Sequence, residues 1–172
     1  MNITENAFNG KNKFQFGLFI CALAVPLITG VLSSLITRNA MNQYNIMPKP
    51  PLSPPGWVFP VVWTILYILM GVASYMVITS DASRNLVTGA VLFYCIQLIM
   101  NFFWSILFFS FSLYLASFIW LIIMWVFVVI CTVYFFLART AAGVMMLPYI
   151  AWASFAAYLN FAVYRLSITP MP

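Results

Sequence analysis

Charge is confined to nine positions in this 172-residue chain: Glu5, Lys11, Lys13, Arg38, Lys49, Asp81, Arg84, Arg139 and Arg165. Nothing else constrains its fold as tightly. Between these positions run long apolar stretches with no Lys, Arg, Asp, Glu or His well inside them. A charge at the bilayer centre is costly, whereas about 20 apolar residues in a helix cross a hydrocarbon layer of roughly 30 Å. The runs predict membrane helices over residues 14–36, 57–79, 86–109, 113–137 and 142–164. The expected fold is all-α and integral to the membrane. It is one domain over 14–165, a five-transmembrane-helix bundle between short polar tails at 1–13 and 166–172. Lys11 and Lys13 precede an apolar run as in a signal peptide, but the run is too long for a signal core and reads as a retained first helix. The flanking cations divide into Lys11, Lys13, Arg84 and Arg139 on one side and Arg38, Lys49 and Arg165 on the other. So even a division sets no orientation.

Composition excludes several classes. Only 5% of residues are charged, where a soluble domain carries about a quarter. The net charge of +5 belongs to helix flanks. The expected partner is therefore a lipid bilayer and no nucleic acid. With no histidine, Ser/His/Asp and Cys/His chemistry is excluded, and a metal centre is not expected. Every lysine lies at or before position 49, so no retinal-type Schiff base can form inside the membrane. A proton- or ion-coupled carrier usually needs an intramembrane ionisable group, and none is present. Cys21, Cys95 and Cys131 fall inside apolar runs without a CxxC pattern and read as small buried side chains.

What remains is aromatic and amide chemistry. Six prolines crowd residues 48–60: Pro48, Pro50, Pro51, Pro54, Pro55 and Pro60. Proline fixes φ and lacks an N–H, so this first loop should be stiff. Ser53 before Pro54 and Pro55 suggests an N-cap with proline in the first turn. Tryptophans follow at 57, 63, 104, 120, 125 and 152. Near helix ends they suit interfacial anchoring; deeper, Trp63, Trp104 and Trp152 suit either core packing or a ligand cavity. Gln97, Asn101 and Asn160 are intramembrane amides, equally suited to helix–helix hydrogen bonding and to ligand contact.

The stretch Pro54-Pro55-Gly56-Trp57-Val58-Phe59-Pro60 leads into Val62-Trp63-Thr64, Leu66-Tyr67, Met70-Gly71 and Ser74-Tyr75. Asn101-x-x-Trp104 follows with Phe108-Phe109, then Pro148-Tyr149-x-x-Trp152 with Phe155 and Leu159-Asn160. In this order the segments resemble the TspO/translocator protein family, the tryptophan-rich sensory proteins or peripheral-type benzodiazepine receptors. The resemblance implies a five-helix bundle, commonly a homodimer, in a bacterial cell membrane. It implies a cavity under the first loop for protoporphyrin IX or a related tetrapyrrole, with no cofactor required. Related members bind cholesterol and synthetic isoquinoline carboxamides or benzodiazepines. Carried over position by position, the ligand-binding residues are Trp63, Asn101, Trp104, Trp152 and Asn160, with Pro54 and Pro55 shaping the lid. The reading is a receptor or sensor rather than an enzyme. Light-dependent porphyrin breakdown and passive porphyrin or sterol translocation stand as alternatives. The chain departs from the family at Leu52, where family loops commonly carry a tryptophan.

Overall fold

The computed structural model describes residues 14–46 and 50–168. Five helices appear in chain order: α1 (Phe16–Ile46), α2 (Val58–Ile78), α3 (Arg84–Ser105), α4 (Tyr114–Ala138) and α5 (Thr140–Ile168). A π-helical segment, Ile106–Ser110, prolongs α3. Each helix contains a stretch long and apolar enough to cross a membrane. No strand occurs among the described residues. The chain is a multi-pass integral membrane protein built as an all-α bundle.

Contacts set the order of helices around the bundle. The largest packings are α4 on α5, α3 on α4 and α1 on α2; α2 meets α5, and α1 meets α3 and the π segment. The ring therefore runs α1–α2–α5–α4–α3, not in sequence order. The core gathers Met70, Ala73 and Val77 of α2, Ala90 of α3, Met124 and Val128 of α4, and Met146 and Tyr149 of α5, all fully buried.

Small residues fix the closest approaches. At Gly71 an added Cβ would lie 2.9 Å from the Leu23 Cα and 3.0 Å from the Ala22 carbonyl oxygen. Pro26 stands four residues beyond Ala22 and has no N–H to give that carbonyl, so α2 backs onto α1 where the helical ladder is already open. At Gly30 an added Cβ would meet the Tyr67 ring at 2.3 Å.

Four local expectations need correction. First, α1 runs to Ile46, so residues 37–46, expected as loop, are helical. Second, Ser53 is not the cap of α2: the helix starts at Val58 after Trp57, with no side-chain cap, and the Val58 N–H donates to Pro55 O at 3.0 Å. A residue before proline is pushed out of the α region, so Ser53 before Pro54 and Pro54 before Pro55 hold the chain extended. Pro60 occupies the first turn instead, where a missing N–H costs nothing. Third, α3 does not end in a plain break: Phe111 N–H reaches Ile106 O at 3.1 Å, a five-residue step, and Ser112 takes φ +52° as the chain turns. Fourth, Cys21 and Cys95 lie exposed on the bundle surface; only Cys131 is buried.

The described part of the loop folds over α5. Ser53 N–H closes a turn on Pro50 O at 3.2 Å. Leu52, at the third position, takes φ +67°, as in a type II turn that usually places glycine there. The Tyr158 hydroxyl donates to Pro51 O at 3.2 Å and ties the loop down. Pro48 and Lys49, expected as part of this loop, lie outside the described residues.

Candidate functional site

A cavity of about 290 Å³ lies between α1, α2 and α3 in the half of the bundle nearest the first loop. Its two walls differ chemically. One is aromatic: Phe59, Trp63 and Tyr67 of α2, with Trp104 and Phe109 beyond. Trp63 stacks on Tyr67 with centroids 5.6 Å apart and planes at 30°, and lies 6.2 Å from Trp104. These positions follow from spacing: residues 59, 63 and 67 recur every four and share one face of α2. The other wall carries hydroxyls, Ser33, Ser34 and Thr37 of α1 with Ser105 of α3. Ser105 Oγ donates to Asn101 O at 3.1 Å, which leaves Ser33 Oγ to donate to Ser105 Oγ at 2.7 Å. Thr37 Oγ1 donates to Ser33 O at 2.9 Å. Val31 and Leu35, both exposed, form the outer rim. No charged side chain lines the cavity among the described residues.

The polar groups are held with some capacity to spare. Asn101, buried, donates from Nδ2 to the Tyr67 hydroxyl at 3.2 Å. The Tyr67 hydroxyl accepts there and keeps its own proton for another partner. Deeper, the Tyr149 hydroxyl donates to Gln97 Oε1 at 2.9 Å, and the Gln97 amide reaches the Met70 sulfur at 3.8 Å. That pair stitches α3 to α5 and to α2 in the fully buried core.

The residues singled out in the sequence fall on two sides of one wall. Trp63, Asn101 and Trp104 line the cavity. Asn160 stands behind Trp104: its Oδ1 accepts the indole N–H at 3.1 Å and its Nδ2 donates to Tyr114 O at 2.8 Å. With Ser53, Phe108 and Leu159 it bounds a crevice of only about 20 Å³. Trp152 packs edge-on against Phe59 at 5.9 Å, and its buried indole nitrogen has no hydrogen-bond partner. Pro54 and Pro55 line neither the cavity nor the crevice. Phe59, Trp104 and Phe109 line both and form the partition.

The hydroxyl wall was not singled out from sequence. Its signal was present: Ser33 and Thr37, one turn apart in an apolar run, mark a polar stripe at helical spacing. Tyr67 and Phe59 were visible inside the motif but were not named among the ligand-binding residues.

Asn160→Leu leaves the Trp104 indole, 5% exposed, without its acceptor. The expected loss is about 1–2 kcal/mol, the cost of an orphaned buried donor tempered by the weak hydrogen bonds typical of membrane bundles. Denaturant unfolding in micelles measures it. Unchanged stability would mean the indole finds another acceptor.

Comparison with known proteins converges on one group. The model of the TspO/MBR family matches residues 22–165. The "Tryptophan-rich protein TspO" of Chlorobaculum tepidum is 36% identical over 157 residues, covering 91% of this chain and 99% of that protein. The "Tryptophan-rich sensory protein" of Cereibacter sphaeroides is 36% identical over 88% of this chain and 90% of its own. The pig "Translocator protein" (Sus scrofa) is 31% identical over 82% of this chain and 85% of its own.

Proposed function

The chain belongs to the TspO/MBR family, and from that premise we propose that it is a membrane receptor or sensor for a porphyrin or similar flat apolar ring. The observation that carries the reading is the two-faced cavity, with Trp63, Tyr67 and Trp104 on one side and the hydroxyls of Ser33, Ser34, Thr37 and Ser105 on the other. A planar macrocycle lies against the indoles and turns its polar edge to the hydroxyls and the free proton of Tyr67.

Size refines the proposal. The cavity of about 290 Å³ sits at the lower end of ordinary ligand sites, which run from about 300 to 1,000 Å³. A tetrapyrrole therefore enters edge-first past the exposed Val31 and Leu35 and keeps part of its ring at that open rim. Pro54 and Pro55 act at one remove, by holding the start of α2 and hence Phe59. The sensory name of the Cereibacter relative agrees with this role.

The test is quenching of tryptophan fluorescence by protoporphyrin IX in the dark and then under light. Saturable quenching with stable porphyrin absorbance supports a receptor. Light-dependent loss of the porphyrin bands beyond a Trp63→Phe control supports photochemical turnover instead. Absence of saturable quenching overturns both. Because the cavity wall carries no charge, affinity should hold within about twofold between low salt and roughly 1 M salt, where exposed charges are screened within about 3 Å. A steep salt dependence would move binding to cations at the mouth, such as Arg38.

A further inference from the structure

A second cavity, of about 190 Å³, opens in the other half of the bundle between α1, α2 and α3. The close contact of Gly71 with Ala22 and Leu23 separates it from the first. Its rim is exposed: Cys21 and Val25 on α1, Ile78 at the end of α2, and Cys95 on α3. Its floor is buried: Ala22, Ser74, Val77, Tyr94 and Phe135. Such a cavity is entered sideways from the hydrocarbon layer, not from water.

One group in it is unexplained. Tyr94 is 5% exposed, and its hydroxyl is buried without a hydrogen-bond partner. Ser74 is its polar neighbour and lies near enough to interact with the phenol, but the Ser74 hydroxyl gives its proton to Gly71 O at 2.9 Å and the phenol makes no hydrogen bond of good geometry to it. Tyr94 lies ten residues into α3, about 15 Å along the helix at 1.5 Å per residue. Water does not reach that depth in a bilayer, so an orphaned phenol is costly there. The other lining side chains are aliphatic, aromatic or thiol, with no cation to hold a carboxylate and no anion to hold an amine. A phenol is a better donor than acceptor, so the missing partner is a neutral acceptor brought by a ligand.

We propose that this second cavity binds a lipophilic carbonyl compound: an apolar chain or ring that enters from the bilayer and accepts the Tyr94 hydroxyl proton on one carbonyl oxygen. Cys21 and Cys95 flank the entrance, and the Tyr94 ring is held against Phe135, with centroids 5.8 Å apart. The site is independent of the porphyrin reading, since it shares no lining residue with the first cavity.

The experiment reconstitutes the full chain in phosphatidylcholine vesicles with a diazirine-bearing long-chain ketone. After photolysis, peptides spanning 18–25 and 91–95 should carry saturable label. An unlabelled long-chain ketone should compete about tenfold better than the alkane of the same length, as one intramembrane hydrogen bond allows. Tyr94→Phe should reduce that preference to within about twofold, a change the loss of one such bond predicts, while protoporphyrin quenching stays as in the parent chain. Unsaturable label spread over all lipid-facing positions overturns the proposal, as does an unchanged ketone preference in Tyr94→Phe. Should that variant fail to assemble, Val91→Phe keeps the phenol but fills the cavity. It must abolish the saturable label, and its persistence would equally overturn the site.

Discussion

Replacing Gly71 by valine is expected to cost about 2–3 kcal/mol of stability, the upper range for overpacking a well-filled interior. A Cβ at this position would press on the Leu23 Cα and the Ala22 carbonyl, at 2.9 and 3.0 Å. Backbone cannot step aside as a side chain can, so α1 and α2 must part along their shared face. Gly143→Ala is the contrast. Its Cβ would come nearer still, 2.2 Å from Phe136 Cγ. Turning the ring in place leaves Cγ where it is. The half-buried Phe136 must therefore swing as a whole about χ1, which displaces a side chain but no backbone. Alanine also recovers up to about 1 kcal/mol of helix propensity, so Gly143→Ala should lose less than half of what Gly71→Val loses. Unfolding of both variants in the same micelle decides the matter. Equal losses would show that α1 gives way as easily as a side chain.

The second large effect concerns ligand affinity. Gly30→Val drives a side chain into the Tyr67 ring, which a bare Cβ already meets at 2.3 Å. The ring must swing into the cavity, losing its stack on Trp63 and its hydrogen bond from Asn101. Trp63→Leu removes the ring at the centre of the aromatic wall. Either change should weaken protoporphyrin IX at least about tenfold, since one stacked indole and its buried area account for about 1.4 kcal/mol or more. Trp152→Phe should change affinity by less than about threefold, a fraction of one stacking interaction, because Phe59 stands between it and the cavity. Titrating the three variants side by side locates the ligand. If Trp152→Phe proves the most damaging, the ring sits on the loop side of Phe59.

The helices were legible because hydrocarbon tolerates few alternatives. Runs without charge had to be spans, and the TspO/MBR motifs fixed their order along the chain. Residues 37–46 were not legible as helix. They carry three asparagines, a glutamine and Arg38, and polar composition distinguishes membrane from water, not helix from loop. The π segment at 106–110 left no trace either, since Ile-Leu-Phe-Phe suits an α-helix as well. Ser53 misled because the capping preference was weighed without the two prolines after it, which forbid the helical conformation at that point. The order of helices around the bundle depends on contacts such as Gly71 against Leu23, which no run of hydrophobicity reveals.

For the site, the tryptophans and asparagines were visible as unusual residues, but their division into two compartments was not. Asn101 and Asn160 read alike in sequence. In the structure one supports the cavity through Tyr67, and the other holds Trp104 from behind. A single aromatic layer separates the two.

That layer makes the loop a witness to the cavity. Phe59 and Trp104 face the open space on one side and the Ser53 crevice on the other. Pressure on their outer faces has no empty volume to dissipate into, only about 20 Å³ before the proline-rich turn is met. On the proposed reading, a ring bound in the cavity would press on this layer and meet the proline-rich turn almost at once.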